Sequence, residues 1–174
     1  VEEGGFFLNN EMDDFSSKPG HPNFYGLIGS EANSIQPGKR MLSSMTPSII
    51  LKDNKPSLIV GTPGGSTIIT SVLQTILNVY AFDMRVQEAV NAARFHHQWL
   101  PDVVIFEEGI VDKEKDSILK SKSYYIISLL IEVDTGGMSA RSSIGAVDAI
   151  LIDGKGKVST GADFRGDDYG EILK

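Results

Sequence analysis

The sequence predicts an α+β fold in one layered domain spanning residues 1–174, and three observations predict it. Short apolar runs bounded by turn residues occupy residues 48–60, four-residue apolar spacing begins near residue 66, and strand-like runs return after residue 146. Strands, then helices, then strands suit a layered α+β architecture better than repeated βαβ units. The chain has 174 residues and 41% apolar content. That length is enough to bury one sizeable core.

A β-hairpin is the first predicted element. Residues 49–51 and 58–60 are short apolar runs, and the turn-forming sequence Asp53-Asn54-Lys55-Pro56 lies between them. Two apolar runs joined by such residues are typical of a hairpin.

A helix is predicted after the glycines at positions 64 and 65, with Ser66 or Thr67 as its N-cap. Apolar residues then recur at four-residue spacing, which places them along one helical face that we expect to be buried. These residues are Ile68, Val72 and Ile76 in one row and Ile69, Leu73 and Leu77 in the next.

A second helix is predicted to begin near Asp83 and to end before Pro101, because proline could not continue it. Its inward residues are Val86, Ala89, Val90 and Ala93. A third, more polar helix is predicted across residues 113–122. Periodicity does not decide between strand and helix for residues 124–133. Residues 146–152 predict a strand, which the turn residues 153–157 lead into another hairpin.

Composition excludes several classes of function. The formal net charge is −7 at pH 7 and no Lys or Arg run offsets it, so nucleic acid is a poor partner. The absence of cysteine removes thiol catalysis, disulfides and thiolate metal sites. No apolar stretch reaches the roughly 18 residues of a membrane span. Because the chain opens on Val1 in a strand-like run, we expect it to begin inside a longer protein.

An acidic cluster at residues 9–16 is the densest polar feature. Glu11 and Asp14 are three residues apart, so in a turn both carboxylates can converge on one ammonium group. A solvated acidic turn is the competing interpretation, since charged residues are mostly exposed. A calcium loop fits less well because the spaced ligands and the closing glutamate are missing.

Two further features offer groups that bind anions. Ser43 and Ser44 supply hydroxyls and backbone donors near Lys39 and Arg40, although a serine pair before a strand is ordinarily turn structure. Gly64-Gly65 lies between a strand and a helix, where bare backbone N–H groups and the positive helix end suit an oxyanion. A tight structural turn is the alternative. The P-loop and dinucleotide patterns are absent.

Adjacent histidines at positions 96 and 97 invite a metal site. On a helix their side chains would point about 100° apart, and no third ligand is suitably spaced. A packing or capping role is therefore expected. His21 lies alone in a proline-containing loop. We predict no metal and no cofactor.

Four ordered motifs together resemble the small subunit of gamma-glutamyltranspeptidase. They are NNEMDDFS (residues 9–16), PGKRMLSSMTPS (37–48), GTPGGST (61–67) and NAARFHHQWLPD (91–102), and the segment 163–168 is similar to the family's terminal segment. The resemblance implies an N-terminal-nucleophile hydrolase fold, a four-layer αββα sandwich. It implies transfer of a gamma-glutamyl group from glutathione or related amides to an amino acid, a peptide or water through an acyl-enzyme.

The nucleophile implied by the resemblance is a threonine freed at the small subunit's N-terminus by self-cleavage. Val1 has no hydroxyl and the expected threonine lies upstream of residues 9–16. We therefore expect this segment alone to be inactive. The implied partner is the large subunit, which supplies an arginine for the substrate carboxylate. A periplasmic, secreted or cell-surface location is also implied, and unpaired strands make self-association a reasonable expectation.

The resemblance also implies a role for each candidate residue. Glu11 and Asp14 would hold the donor's α-ammonium, Ser43 and Ser44 its α-carboxylate, and Gly64 and Gly65 the oxyanion. Tyr25 matches a lid tyrosine of bacterial members, so residues 17–40 are expected to cover the bound glutamyl group. Two rivals within the fold are an acylase for glutaryl or other side chains and a poly-gamma-glutamate transpeptidase. A third rival is a non-catalytic binding module.

Overall fold

A computed structural model of the chain describes residues 4–6, 11–43, 45–129 and 143–173. The chain divides into two compact units, residues 1–44 and residues 45–174. The single domain predicted over residues 1–174 stays a prediction.

The first unit is mostly turns and loops. One 3-10 turn spans Glu11–Asp14 and another spans Glu31–Asn33. The side chain of Asn33 is buried and bonds to two other segments of this unit. Its Nδ2 donates to the Asp14 carbonyl at 2.7 Å, and its Oδ1 accepts from the Leu42 N–H at 3.0 Å. One amide therefore ties the acidic turn to the segment that leads to the serine pair.

The second unit contains a four-stranded antiparallel sheet. In spatial order its strands are β1 (Ser48–Lys52), β2 (Lys55–Gly61), β6 (Asp148–Ile152) and β7 (Val158–Gly161). Both predicted hairpins are confirmed. Asp53 and Asn54 have φ values of 51° and 58°, as the two central residues of a type I′ turn require. Pro56 belongs to β2 and not to the turn, opposite Leu51 at a bulge.

Helix α1 (Thr67–Tyr80) and helix α2 (Val86–Asn91) pack against this sheet. Ile68 and Val72 of α1 are buried in the core, and Ile76 packs against it. The second predicted row is exposed: Ile69 is 54%, Leu73 53% and Leu77 44% accessible. The prediction that both rows are buried is wrong, because a sheet covers one stripe of a helix and the rows lie side by side.

Helix α2 is shorter than predicted. Val86, Ala89 and Val90 are buried as expected, but the helix ends at Asn91 and Ala93 is exposed. The chain turns there into β3 (Phe95–His96), which pairs with β4 (Val104–Glu107). The prediction that His96 lies on a helix is therefore wrong.

A second sheet has the order β3-β4-β5, where β5 spans Ile126–Leu129 and runs parallel to β4. The predicted third helix is confirmed as α3 (Lys113–Ser121). It joins the two parallel strands, so one βαβ unit is present where the sequence suggested none. Residues 130–133 of the ambiguous run lie outside the described residues. Among the residues described, no helix has the length and apolar character needed to cross a membrane.

Candidate functional site

The diglycine turn connects β2 to α1. Its backbone is one that glycine favours, with φ of 137° at Gly64 and 56° at Gly65. The Gly64 carbonyl accepts from the Thr67 N–H at 3.1 Å and from the Thr67 hydroxyl at 2.9 Å. Because the C=O and N–H of a trans peptide point in opposite directions, this arrangement directs the Gly65 N–H away from the first turn of α1.

The amides of this turn are available to a ligand. Within the described ranges of the chain, the N–H groups of Gly64 and Gly65 donate no hydrogen bond to protein. Both lie next to the N-terminal end of a 14-residue helix, where the aligned peptide dipoles favour negative charge. Such a turn can stabilise an oxyanion.

Gly145 forms the back of the turn. A Cβ on Gly64 would meet the Gly145 Cα at 3.3 Å, so the two backbones are in close contact. The segment around Gly145 is held by hydroxyls on either side of the diglycine. Thr62 Oγ1 accepts from the Ala146 N–H at 2.8 Å, and Ser71 Oγ donates to the Ile144 carbonyl at 3.2 Å.

Four buried charged side chains also hold the segment around Gly145. Arg165 forms a two-pronged pair with Glu107, at 2.8 Å from Nε to Oε1 and 2.5 Å from the terminal nitrogen to Oε2. Arg165 also bonds Asp163 at 2.9 Å, and Arg94 bonds the other Asp163 oxygen at 2.5 Å. All four side chains are almost completely buried. We call Arg94, Glu107, Asp163 and Arg165 the charge cluster.

The carboxylates of the charge cluster also accept backbone amides. Glu107 Oε1 accepts from the Ile144 N–H at 3.1 Å, and Asp163 Oδ2 accepts from the Val147 N–H at 2.8 Å. These two amides bracket Gly145. Paired charges and satisfied hydrogen bonds are the condition for burying such groups. The cluster therefore fixes the segment that supports the diglycine turn.

The electrostatics of the cluster follow from its burial. Burial lowers the pKa of the Arg94 guanidinium, with a further decrease from the charge of Arg165. Burial alone would raise the pKa of Asp163, but the charge of Arg94 and the N–H groups of Val147 and Arg165 outweigh it and hold that pKa below its usual value. Asp163 is therefore ionised at neutral pH.

Sequence reasoning missed the charge cluster. Residues 163–168 contributed to the resemblance, but no role was assigned to them. The available signal was weak: Arg94 and Glu107 adjoin apolar residues. Nothing in that pattern shows which charges meet.

The acidic turn brings Glu11 and Asp14 together, as predicted. Both are half-buried, whereas Asp13 between them is exposed. A hydrogen bond from the Glu11 carboxyl to Asp14 raises the pKa of Glu11, and partial burial and the Asp14 charge act in the same direction. Two carboxyl groups this close to each other suit a cation.

The other predicted binding residues are only partly located. Ser43 is exposed, and Ser44 lies outside the described residues. Tyr25 is 46% accessible and its ring contacts Phe24 edge to face at 5.3 Å. Glu11, Asp14, Tyr25 and Ser43 belong to the first unit, whereas Gly64 and Gly65 belong to the second. Their convergence on one ligand stays a prediction.

The two histidines have separate roles. His96 is buried and bonds to Thr70 and Gln98, each at 2.9 Å, while the partly exposed His97 lies 3.1 Å from Asp102. In the part of the chain that is described, no cluster of three or more His, Cys, Asp or Glu side chains could hold a metal ion.

A sequence profile of the family described as gamma-glutamyltranspeptidase matches residues 1–173. The chain belongs to the gamma-glutamyltranspeptidase family. It is 45% identical over 177 residues to a glutathione hydrolase proenzyme of Pseudomonas aeruginosa, with 100% of this chain and 29% of the relative covered. For the Escherichia coli proenzyme the identity is 44% over 163 residues, covering 94% of the chain and 26% of the relative.

Solved transpeptidases have the same fold. The gamma-glutamyltranspeptidase of Pseudomonas nitroreducens complexed with L-DON is 44% identical with a TM-score of 0.83, and the match covers 100% of this chain and 85% of that one. A mutant of the Helicobacter pylori gamma-glutamyltranspeptidase gives 45% identity, a TM-score of 0.81, and coverage of 95% and 84%. The transpeptidase CapD of Bacillus anthracis, at 18% identity and a TM-score of 0.65 over 96% and 91% of the two chains, shares the fold.

These matches confirm the α+β class and the N-terminal-nucleophile hydrolase fold. This gamma-glutamyltranspeptidase chain spans less than a third of the length of the two curated relatives just described.

Proposed function

We propose that the complete protein containing this chain transfers gamma-glutamyl groups from glutathione and related amides to amino acids, peptides or water. One observation carries the proposal. Two glycine amides, unpaired within the described residues, stand at a strand-to-helix turn, in a family whose relatives at about 45% identity are glutathione hydrolase proenzymes.

The chemistry that this turn serves is acyl transfer. A threonine hydroxyl supplied from outside this chain attacks the γ-carbonyl, and negative charge develops on the carbonyl oxygen. Donors fixed in advance stabilise that charge without reorganising, which contributes about 3 kcal/mol per donor. Gly64 and Gly65 supply the donors, and their backbone is held by Thr67 on one side and by Gly145 on the other.

The amino-acid head group of the donor is assigned to the first unit. Glu11 and Asp14 bind its ammonium, Ser43 and Ser44 bind its carboxylate, and Tyr25 covers the glutamyl group. The support for the ammonium site is the raised pKa of Glu11, which reports two carboxyl groups close together. An ammonium bound there forms charge-assisted hydrogen bonds with both carboxylates.

The partner and the location belong to the same proposal. The Pseudomonas aeruginosa and Escherichia coli relatives are proenzymes, and this chain covers 29% and 26% of their lengths. This supports a two-subunit protein formed from one precursor. We propose that the chain pairs with the large subunit of that precursor. The complete protein is proposed to act in the periplasm or at the cell exterior.

The rival functions differ in the substrate head group. A glutaryl acylase binds a donor without an ammonium group, so it has no use for the Glu11 and Asp14 pair. A poly-gamma-glutamate transpeptidase binds a polymer. A binding module retains the pocket without turnover.

The decisive experiment compares gamma-glutamyl-p-nitroanilide with glutaryl-p-nitroanilide on the complete, processed protein, by release of nitroaniline. We expect kcat/KM to favour the gamma-glutamyl compound by at least about a hundredfold, because the glutaryl analogue has no ammonium group to pair with the Glu11 and Asp14 carboxylates. Equal rates or a glutaryl preference overturn the proposal in favour of an acylase. Binding of the gamma-glutamyl compound without nitroaniline release indicates the binding module.

A further inference from the structure

Ser66 directly follows the diglycine, yet its hydroxyl does not cap the helix it precedes. It occupies the N-cap position of α1 without a side-chain cap hydrogen bond. Instead, Ser66 Oγ donates to Gln98 Oε1 at 2.7 Å, across 32 residues of sequence. The Ser66 backbone is already helical, with φ of −64° and ψ of −23°, whereas a capping residue is extended, so the hydroxyl is placed for a tertiary bond and not for a cap.

The orientation of the Gln98 amide is fixed. Its Nε2 donates to the Leu100 carbonyl at 3.0 Å, which leaves Oε1 facing both Ser66 and His96. His96 Nε2 lies 2.9 Å from that same Oε1. An amide oxygen only accepts, so His96 carries its proton on Nε2.

His96 returns the chain of hydrogen bonds to α1. The side chain is 3% accessible, and Nδ1 lies 2.9 Å from Thr70 Oγ1. The Thr70 hydroxyl also donates to the Thr67 carbonyl at 3.1 Å, so His96 Nδ1 contacts a hydroxyl that is itself bonded within the first turn of α1. The bonds therefore run from Ser66 through Gln98 and His96 to Thr70, and both ends lie in the first turn of α1.

A neighbouring pair of hydrogen bonds also holds β3 against α1. Gln74 Nε2 donates to the Phe95 carbonyl at 2.8 Å, and Gln74 Oε1 accepts from the Phe95 N–H at 3.1 Å. The strand that carries His96 is thus fixed to the helix independently of Ser66. The Ser66 link adds a second tie between the two segments, at the residue that directly follows the diglycine.

We propose that Ser66, Gln98 and His96 are positioning residues for the oxyanion amides of Gly64 and Gly65, an inference that rests on the proposed function. Glycine has the widest backbone freedom of any residue, so a diglycine turn needs external restraint to hold two N–H groups in one direction. Gly145 restrains it from the side of the sheet. Ser66 restrains it from the side of β3. A misplacement of 1 Å at such donors costs about a hundredfold in rate.

The kinetic test uses the complete, processed protein with gamma-glutamyl-p-nitroanilide. Ser66→Ala and Gln98→Met each remove one partner, and we expect kcat to fall by about tenfold or more while KM changes by less than about twofold, because an oxyanion forms only in the transition state. The double variant is expected to lose no more than the worse single variant, since both break one link. Ser66→Thr, which keeps the hydroxyl, is expected to restore most of the kcat.

His97→Asn is the matched control, because His97 is adjacent to His96 but pairs with Asp102 at the surface. Its kcat is expected to stay unchanged. The proposal is overturned if kcat is unchanged in Ser66→Ala or Gln98→Met. It is also overturned if kcat and 1/KM fall equally, or if the losses of the two single variants add in the double variant.

A spectroscopic readout separates this proposal from the proposed function. In the complete protein labelled with ¹⁵N-histidine, His96 is expected to carry a proton on Nε2, and Gln98→Met is expected to abolish that preference. The opposite tautomer overturns the link. If the Nε2 proton is observed but the protein hydrolyses no gamma-glutamyl anilide, the hydrogen bonds are real. In that case the proposed function has failed, and the positioning role fails with it.

Discussion

Gly64 and Gly145 touch backbone to backbone, and neither position has room for a side chain. A Cβ on Gly64 would lie 2.5 Å from Thr67 Oγ1 and 3.3 Å from the Gly145 Cα, and one on Gly145 would lie 2.7 Å from Thr62 Oγ1. Both residues also have positive φ. Glycine at position 64 therefore allows the diglycine turn to approach the segment before β6 closely.

Gly64→Ala is expected to lower kcat/KM of the complete enzyme by about a hundredfold, because relief of the clash moves the amides that bind the oxyanion. Nitroaniline release measures it. Two controls separate the causes. Gly61→Ala has free space and ordinary φ, and Gly109→Ala has φ of 86° with free space. Both are expected to keep full activity, and an equal loss in Gly109→Ala would assign the effect to backbone strain alone.

Asp14→Ala is expected to weaken transition-state binding of a gamma-glutamyl donor by several kcal/mol, measured through kcat/KM, since the substrate ammonium loses a charged partner. Asn33 bonds the backbone carbonyl of Asp14, so the side chain can be replaced without removing that anchor. Asp13→Ala, at the exposed neighbour, is the control. A change below about threefold in Asp14→Ala removes the residue from the site.

Affinity for the donor is expected to weaken in acid. The pKa of Glu11 is raised by its hydrogen bond to Asp14. As pH falls through that raised value, the pair gains a proton and holds the substrate ammonium with one negative charge in place of two, so KM rises. KM measured across the acid range checks this. Glu11→Gln cannot titrate and is expected to flatten the profile; an unaltered profile in that variant would assign the titration elsewhere.

Arg165→Met is expected to destabilise the complete protein by about 3–5 kcal/mol, because it leaves Glu107 buried without its ionic partner. Arg165→Lys is not expected to restore stability, since an ammonium cannot reproduce the two-pronged bond to Glu107 together with the bond to Asp163. Urea unfolding measures both. The control is Arg85→Met, whose pair with Glu88 is exposed and screened by solvent, so its loss is expected to change stability little. Equal effects at the two arginines would contradict a structural role for the charge cluster.

Asp163 predicts how the stability depends on pH. Its folded pKa is lowered, and an unfolded Asp titrates near about 3.9. Its contribution is therefore fully present above the unfolded value and is lost as pH falls through the folded one. The gap in unfolding midpoint between wild type and Asp163→Asn is expected to be large at neutral pH and to shrink in acid. Asp167→Asn, at an exposed neighbour, is the control, and a gap that widens in acid would contradict the assignment.

Local rules were sufficient for several elements of the fold. The β1-β2 hairpin was predictable because Asp53 and Asn54 accept the positive φ of a type I′ turn. Helix α3 was predictable because its polar pattern is helical, and Asp112 caps it by accepting from the Lys115 N–H at 2.8 Å. In both cases the determining atoms lie within a few residues of one another.

Long-range partners explain what the sequence did not predict. Helix α2 ends at Asn91 because the next residues pair with β4, a choice absent from the local pattern. Arg165 and Glu107 lie 58 residues apart, and nothing local to either one identifies the other. The diglycine was predicted as an oxyanion site from residue type and spacing, whereas its supports, Gly145 and Gln98, come from distant segments.

The charge cluster can form only after its last two members, Asp163 and Arg165, have been synthesised. A ribosome releases Arg94 and Glu107 long before Asp163 and Arg165, and a domain assembles as a unit once its parts are present. Until residues 163–165 emerge, the earlier pair keeps its hydration and the space beneath Gly145 stays open. A product cut short before residue 163 would lack the partners of Arg94 and Glu107 and would expose an unfinished interior to cellular proteases.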